Sequence, residues 1–340
     1  MANELHQANK THVNRLRRSL YDIDPATLEQ TLRECFAHGA RVHLAHPFEE
    51  LDGAEGLYAQ AYRPLLEAVP DLERRDFIFM GGESNGAYWV GCAGHYMGVM
   101  ERAWLDIPPT HKAIAMRYHE FFRIEDGQIV EMQALWDIPQ VMMQANAWAF
   151  SPSLGVEWLA PSPAPQDGIL TTPLEPAHGE ASKHLVLQML NGLARSTESV
   201  EAMQLDRYWH PKMNWYGPAG IGTARQVRGF RLWHQIPFLN GMPNRRGIIE
   251  AGAFFAEGDY VGFTAFPGMV MNISGDGWLG IAPSNQGITM RSLDFWRCEN
   301  GMIRENWVLV DLLDVYHQLG IDVFKRMKEF TYARQPQQRS

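Results

Sequence analysis

Two pairs of side chains in this sequence could move a proton and hold the charge that results. Asp294 stands three residues from Arg291, and Glu120 three residues from Arg117. A carboxylate kept from water can take a proton from carbon, and a guanidinium can hold the oxyanion left behind. On a regular strand, residues three apart face opposite sides, so one member of each pair points outward. The other reading of these pairs is a structural ion pair across strands. His119 is a further candidate acid or base, against the plainer role of a satisfied core histidine. Asp137 and Asp311 each precede a helical stretch, Ile138–Ala147 and Leu312–Leu319, where aspartate serves as an N-cap.

Other motifs lack the context that their chemistry needs. Gly82-Glu83-Ser84-Asn85-Gly86 spells G-x-S-x-G, but a nucleophile elbow leads from strand to helix. The alternating, β-prone run Tyr88–Cys92 follows instead, so a hairpin turn is expected. His119-Glu120-Phe121-Phe122-Arg123 approaches the zinc motif H-E-x-x-H, yet arginine replaces the second histidine on a segment that reads as strand. No phosphate-binding glycine motif opens a helix, so neither a metal nor a nucleotide cofactor is expected. Cys35, Cys92 and Cys298 are odd in number and far apart, which fits a reducing, cytoplasmic compartment better than a disulfide framework. A net charge of −9 argues against nucleic acid as partner. No apolar run has the ~18 residues of a membrane span.

The elements that must carry these residues occur twice. Trp104-Leu105, Ile107, Pro109, Ile114, Met116, Arg117, Phe121, Arg123, Gly127, Ile129, Glu131, Leu135 and Asp137 recur, without a gap, 174 positions later from Trp278 to Asp311. The expected division is a first copy at 1–150, a proline-rich linker at 151–180 and a second copy at 181–340. In copy one, Pro25–His38 and Ala54–Val69 show helical spacing, with Asp24 a cap. Asp76–Met80, Ala87–Met100, Ala113–Ile124 and Gln128–Trp136 read as strands, with Glu125-Asp126-Gly127 as a turn and Glu299-Asn300-Gly301 its counterpart. Helices followed by antiparallel strands imply an α+β fold in which helices pack on a curved sheet and close a pocket. An amphipathic tail, Ile321–Arg334, could dock on a second chain and so make a homodimer beyond the internal pair.

The run Ile107-Pro108-Pro109-Thr110, then Arg123 to Glu131, then Asp137, resembles the SnoaL-like polyketide cyclase family. Copy two carries the signature more fully, in Asp294-Phe295-Trp296-Arg297, Asn300-Gly301, Glu305-Asn306-Trp307, Asp311 and Gln318-Leu319-Gly320. The resemblance implies two tandem NTF2-like, cystatin-like cones and, for a cyclase, an aldol ring closure without metal or cofactor on a small aromatic or polyketide-like carbonyl compound. It places a catalytic aspartate at Asp311 and Asp137, with copy two the more promising. Trp215, Tyr216, Trp233, His234 and Trp307 suit stacking on a planar, apolar metabolite, together with Arg291 and Glu120 as polar contacts, and they suit a plain core equally. The competing readings are a non-catalytic binder of apolar metabolites and a copy kept only to complete a dimer-like interface.

Overall fold

The computed structural model describes residues 2–172 and 174–332. A helix Ala2–Ser19 leads into the first copy, followed by Pro25–Cys35, where Asp24 accepts a hydrogen bond from the Thr27 amide at 2.8 Å. That helix stops three residues short of the expected His38 because the chain turns extended at Phe36 and enters a strand. The strands are β1 (Phe36–Leu44), β2 (Glu49–Asp52), β3 (Glu73–Ser84), β4 (Ala87–Val99), β5 (Ala113–Glu125) and β6 (Gln128–Trp136), with a helical run 53–68 between β2 and β3. They form one sheet in the order β2-β1-β6-β5-β4-β3. The sheet is antiparallel except where β1 runs parallel to β6. Sequence patterning does not show β1, which is interrupted by polar residues, or β2, which is only four residues long.

Copy two repeats this plan with β7 (Trp209–Tyr216), β8 (Thr223–Arg225), β9 (Arg246–Gly247), β10 (Ala253–Glu257), β11 (Tyr260–Asn272), β12 (Gly287–Glu299) and β13 (Met302–Val310). Their order is β10-β11-β12-β13-β7-β8, with β9 on the edge of β11. The helix Pro176–Ala194 and the run 226–241 cover one face. Hairpins close on two-residue turns: Asn85-Gly86, Asp126-Gly127 and Asn300-Gly301 all have positive φ, as the right-handed twist of the flanking strands requires. The G-x-S-x-G segment is thus a β-hairpin.

The two sheets pack through their outer faces. Along β5 the even-numbered residues Met116, Tyr118, Phe122 and Ile124 meet their own helices, whereas Phe121 faces copy two. Phe121 stacks on Phe295, its own counterpart in the repeat, at 4.8 Å between centroids. Each ring lies where the other copy has a glycine. A Cβ on Gly91 would sit 2.9 Å from the Phe295 ring, and one on Gly262 would sit 3.1 Å from Phe121.

The proline-rich segment is no free tether. Val156 pairs with Thr223 at the β8 edge, Ile169 pairs with Phe79 at the β3 edge, and Pro161 accepts a hydrogen bond from the Trp307 indole at 3.0 Å. It straps both sheets, and the helix of copy two begins at Pro176, inside the stretch read as linker. The tail helix Val323–Tyr332 buries Val323 and Met327 against its own chain, while Phe330 and Tyr332 are exposed. Residues 333 and 334 of that expected helix lie outside the described residues.

Truncating Phe295 should open a void in the joint between the sheets. Phe295→Ala is expected to lower stability by about 3–5 kcal/mol, as for other buried aromatics. A urea unfolding midpoint within error of the parent would show that the stack does not hold the copies together.

Candidate functional site

The alternation of β12 sorts its side chains between two environments. Ser292, Asp294 and Trp296 face the helices of copy two, while Arg291, Leu293, Phe295 and Arg297 face the other way. Within this second cone Asp294 pairs across strands with Phe263 on β11 and Val308 on β13. Ser292 Oγ donates to Asp294 Oδ2 at 2.6 Å, and Asp294 makes no ion pair among the described residues. Burial pushes its carboxyl up to about 7, opposed only by the Ser292 hydrogen bond. A carboxyl that changes charge near neutral pH in an apolar wall can act as a general base or acid.

One row along the sheet, Trp296, Asn306 and Trp215 lie side by side on β12, β13 and β7. His234, from the helical run 226–241, stacks on Trp215 at 4.0 Å, and burial pushes its imidazole down to about 3, keeping it neutral. The indole N–H groups of Trp296 and Trp209 and Nδ1 of His234 are buried without a hydrogen-bond partner. Buried polar atoms are almost always satisfied, so three open ones in a single cone call for an explanation. Trp215 and His234 thus form one stack, and Asp294 lies one same-face row further along the sheet. Ser292, Trp296, Trp209 and Phe263 were missed. Counting every second residue from Asp294 would have found Ser292 and Trp296, whereas the others depend on strand pairing.

The remaining candidates lie elsewhere. Asp311 and Asp137 sit at the joint between copies, not inside a cone. Asp311 caps its helix through the Asp314 amide at 3.1 Å, pairs with Arg291 at 3.0 Å and accepts the His46 amide of copy one at 2.9 Å. Asp137 makes no side-chain cap and accepts the Ala219 amide of copy two at 3.0 Å. Burial raises both carboxyls to about 6, outweighing the arginine beside each. Arg291 also meets Glu49 and lines an interdomain cleft of about 270 Å³ with His43, Phe266 and Thr289. His119 is walled in at the joint, with Nδ1 on the Leu293 carbonyl at 2.8 Å, and burial holds its pKa well below the usual value, so it is no base near neutral pH. Tyr216 and Trp307 pack against each other at the same joint, beside the strap, and Trp233 is half exposed on the outer side of its helix.

Cone one is filled. Glu120 occupies the position of Asp294, but Arg74 pairs with it and the Tyr96 hydroxyl and Trp136 indole donate to it at 2.9 and 3.0 Å. Tyr62 and Tyr118 complete a fully buried aromatic plug. Of the two readings for Glu120 and Arg117, the ion pair between them does not form, because they face opposite sides of β5. Arg117 instead donates to the carbonyls of Tyr216, Gly217 and Val308 in copy two.

Two outcomes follow from these positions. Asp294 titrates at about 7 in the fold against 3.8 in the open chain, so the folded state holds the proton more tightly. Its carboxyl is protonated in both states below about pH 4 and opposes folding increasingly as pH rises through 7. Asp294→Asn should therefore gain stability over the parent by roughly 2–4 kcal/mol between about pH 4 and pH 8 in urea titrations. A gap that stays constant with pH would mean that Asp294 titrates as an ordinary carboxylate. Asp311→Ala should instead cost about 3 kcal/mol at neutral pH, by removing a cap and half of a buried ion pair.

Among solved structures, IdmH of Streptomyces antibioticus shares 19% identity over 41% of this chain and 98% of its own, with a TM-score of 0.34. A SnoaL-like protein of Jannaschia sp. CCS1 shares 23% identity over 42% of this chain and 94% of its own, also at 0.34. A ketosteroid isomerase-like protein of Catenulispora acidiphila, in complex with trimethylamine, shares 15% identity over 40% of this chain and 92% of its own, at 0.31. No curated protein matches the chain. The family model of the SnoaL-like polyketide cyclases matches residues 14–145 and again 204–319, one match over the strands of each sheet. By that double match over most of its length, the chain belongs to the SnoaL-like polyketide cyclase family as two tandem copies.

Proposed function

We propose that cone two is a cofactor-independent acid–base site that acts on a small, apolar carbonyl compound by aldol-type ring closure or related isomerase or lyase chemistry. The observation that carries this reading is Asp294, a carboxyl without a cation, held by Ser292 in an aromatic wall and pushed up to about 7. As a carboxylate it takes the proton from the carbon beside the substrate carbonyl, and the electron pair moves onto the carbonyl oxygen. The open indole N–H group of Trp296, two residues along β12 from Asp294 on the same face, is suited to receive that oxygen. The enolate carbon then bonds to a second carbonyl of the same molecule, whose alkoxide takes the proton back from Asp294. Trp215, stacked with the neutral His234, offers a flat apolar face to the ring that forms.

Copy one serves in this reading as the structural half. Its cone is occupied by its own tyrosines, and its carboxylate is neutralised by Arg74. Membership of the cyclase family supports the reaction class, and the intramolecular joint supplies the rigid back that small cones otherwise obtain by pairing.

The test uses β-tetralone, a bicyclic ketone with exchangeable protons beside its carbonyl, in heavy water. The parent protein should accelerate deuterium uptake, with an enzymatic rate that rises with pH through about 7 and then levels, because the base must be ionised. Asp294→Asn should lose about 100-fold or more of that acceleration. Exchange that is equally fast in this variant would sink the assignment, whereas Asp311→Asn, which keeps the cap, should retain it.

A further inference from the structure

A cleft on copy one lies outside both cones. It opens between the last turn of the helix Ala2–Ser19 and the start of β3, has a volume of about 370 Å³ and is lined by Arg17, Arg18, Tyr21, Arg74, Arg75 and Asp76. Four guanidiniums in one cleft are unusual in a protein of net charge −9. Arginines in a last turn also complement a helix dipole, which accounts for Arg17 and Arg18 but not for Arg74 and Arg75, which belong to a strand.

The cleft floor is built from stacked and ion-paired side chains. Arg17 lies over the Phe79 ring at 4.1 Å and Arg74 over Tyr118 at 4.2 Å. Between them Asp76 accepts from Arg74 Nε at 3.0 Å and from the Tyr118 hydroxyl at 2.8 Å, and its other oxygen is 3.1 Å from Arg17 Nε. Arg74 is further engaged by Glu120, and Arg75 by Glu73 at 2.6 Å. Three carboxylates thus answer four arginines, and Arg18 on the exposed wall has no acidic partner among the described residues. The carbonyls at the helix end are largely covered, since Leu20 and Tyr21 donate to Arg17 and Arg18 and the Arg74 amide donates to the Leu20 carbonyl at 2.8 Å. What faces the cleft is therefore net cationic. Tyr21 stands beside it, more than half exposed, as an unused aromatic face.

We propose that this cleft binds a small anion carried on a planar group, a phosphate monoester or a carboxylate, at a site independent of cone two. Guanidinium groups grip such oxygens through paired hydrogen bonds, and stacked guanidiniums lose little freedom on doing so. Arg18 and Arg75 close on the anion from the exposed wall, Arg17 meets it from the floor, and Tyr21 stacks on the planar group. Arg74 acts at one remove, by holding Asp76 and through it Arg17.

The experiment is calorimetric titration of the full chain with phenyl phosphate, benzoate and inorganic phosphate in low-chloride buffer. Saturable binding of phenyl phosphate or benzoate is expected, falling steeply with added salt, and the tighter of the two names the anion. Arg18→Ala and Arg75→Ala, both on the surface and expected to keep the parent melting temperature, should each weaken it about tenfold. Tyr21→Ala should reduce phenyl phosphate to the affinity of inorganic phosphate. Absence of saturation by any of the three up to about 10 mM, or binding unchanged in both arginine variants, would overturn the proposal.

Discussion

The stack of Phe121 on Phe295 is the contact on which the rest of this architecture depends. Each ring comes from the middle of its sheet's outer face and reaches the other only because Gly91 and Gly262 remove the side chains that would block it. A face that displays such rings to water in a lone copy is costly, and joining the copies removes it. His119 repeats the logic beside the stack, donating to the carbonyl of Leu293, its own counterpart in the repeat. The joint is therefore close to symmetric, which explains why Trp307, Tyr216, Leu135 and Leu309 are all spent on it rather than on ligand.

At its corners the symmetry gives way. Arg117 and Arg291 are equivalent in the repeat, yet Arg117 is buried against three carbonyls while Arg291 is answered by Asp311, Asp314 and Glu49 beside an open cleft. The strap explains the difference. It passes the Arg117 corner, where Gly155 and Val156 pair with the chain at Ile221 and Thr223 and Glu157 receives the Gly220 amide.

A second asymmetry separates the cones. Glu120 and Asp294 occupy equivalent positions, but one carboxylate is surrounded by Arg74, Tyr96 and Trp136 and the other by Phe263, Val308 and a single serine. A paired carboxylate in a filled core stabilises a structure and does no chemistry. An unpaired one resists ionisation, the property that a base near neutral pH requires. The same strand position thus carries a structural network in one copy and an isolated carboxyl in the other.

The sequence by itself determined the duplication, the α+β cones and the turns, because gapless recurrence and asparagine–glycine or aspartate–glycine pairs are local signals. It also determined that Arg291 and Asp294 cannot share a face, since a strand alternates whatever surrounds it. It could not say which face looks into a cone. Asp311 and Asp137 read well as bases at the end of a strand, and only the packing of copy against copy revealed them as ligands for the amides of His46 and Ala219. Trp307 and Tyr216 suit a ligand face and a plain core equally by residue type, and only the packing puts them in the joint; β1 is not legible locally because its partner β6 lies some ninety positions away, and β2 is a four-residue strand that pairs with β1. Residue type and spacing set which side chains can act. Whether a carboxylate is paired or isolated in its core depends on partners brought together from distant parts of the chain, and that was decided only in three dimensions.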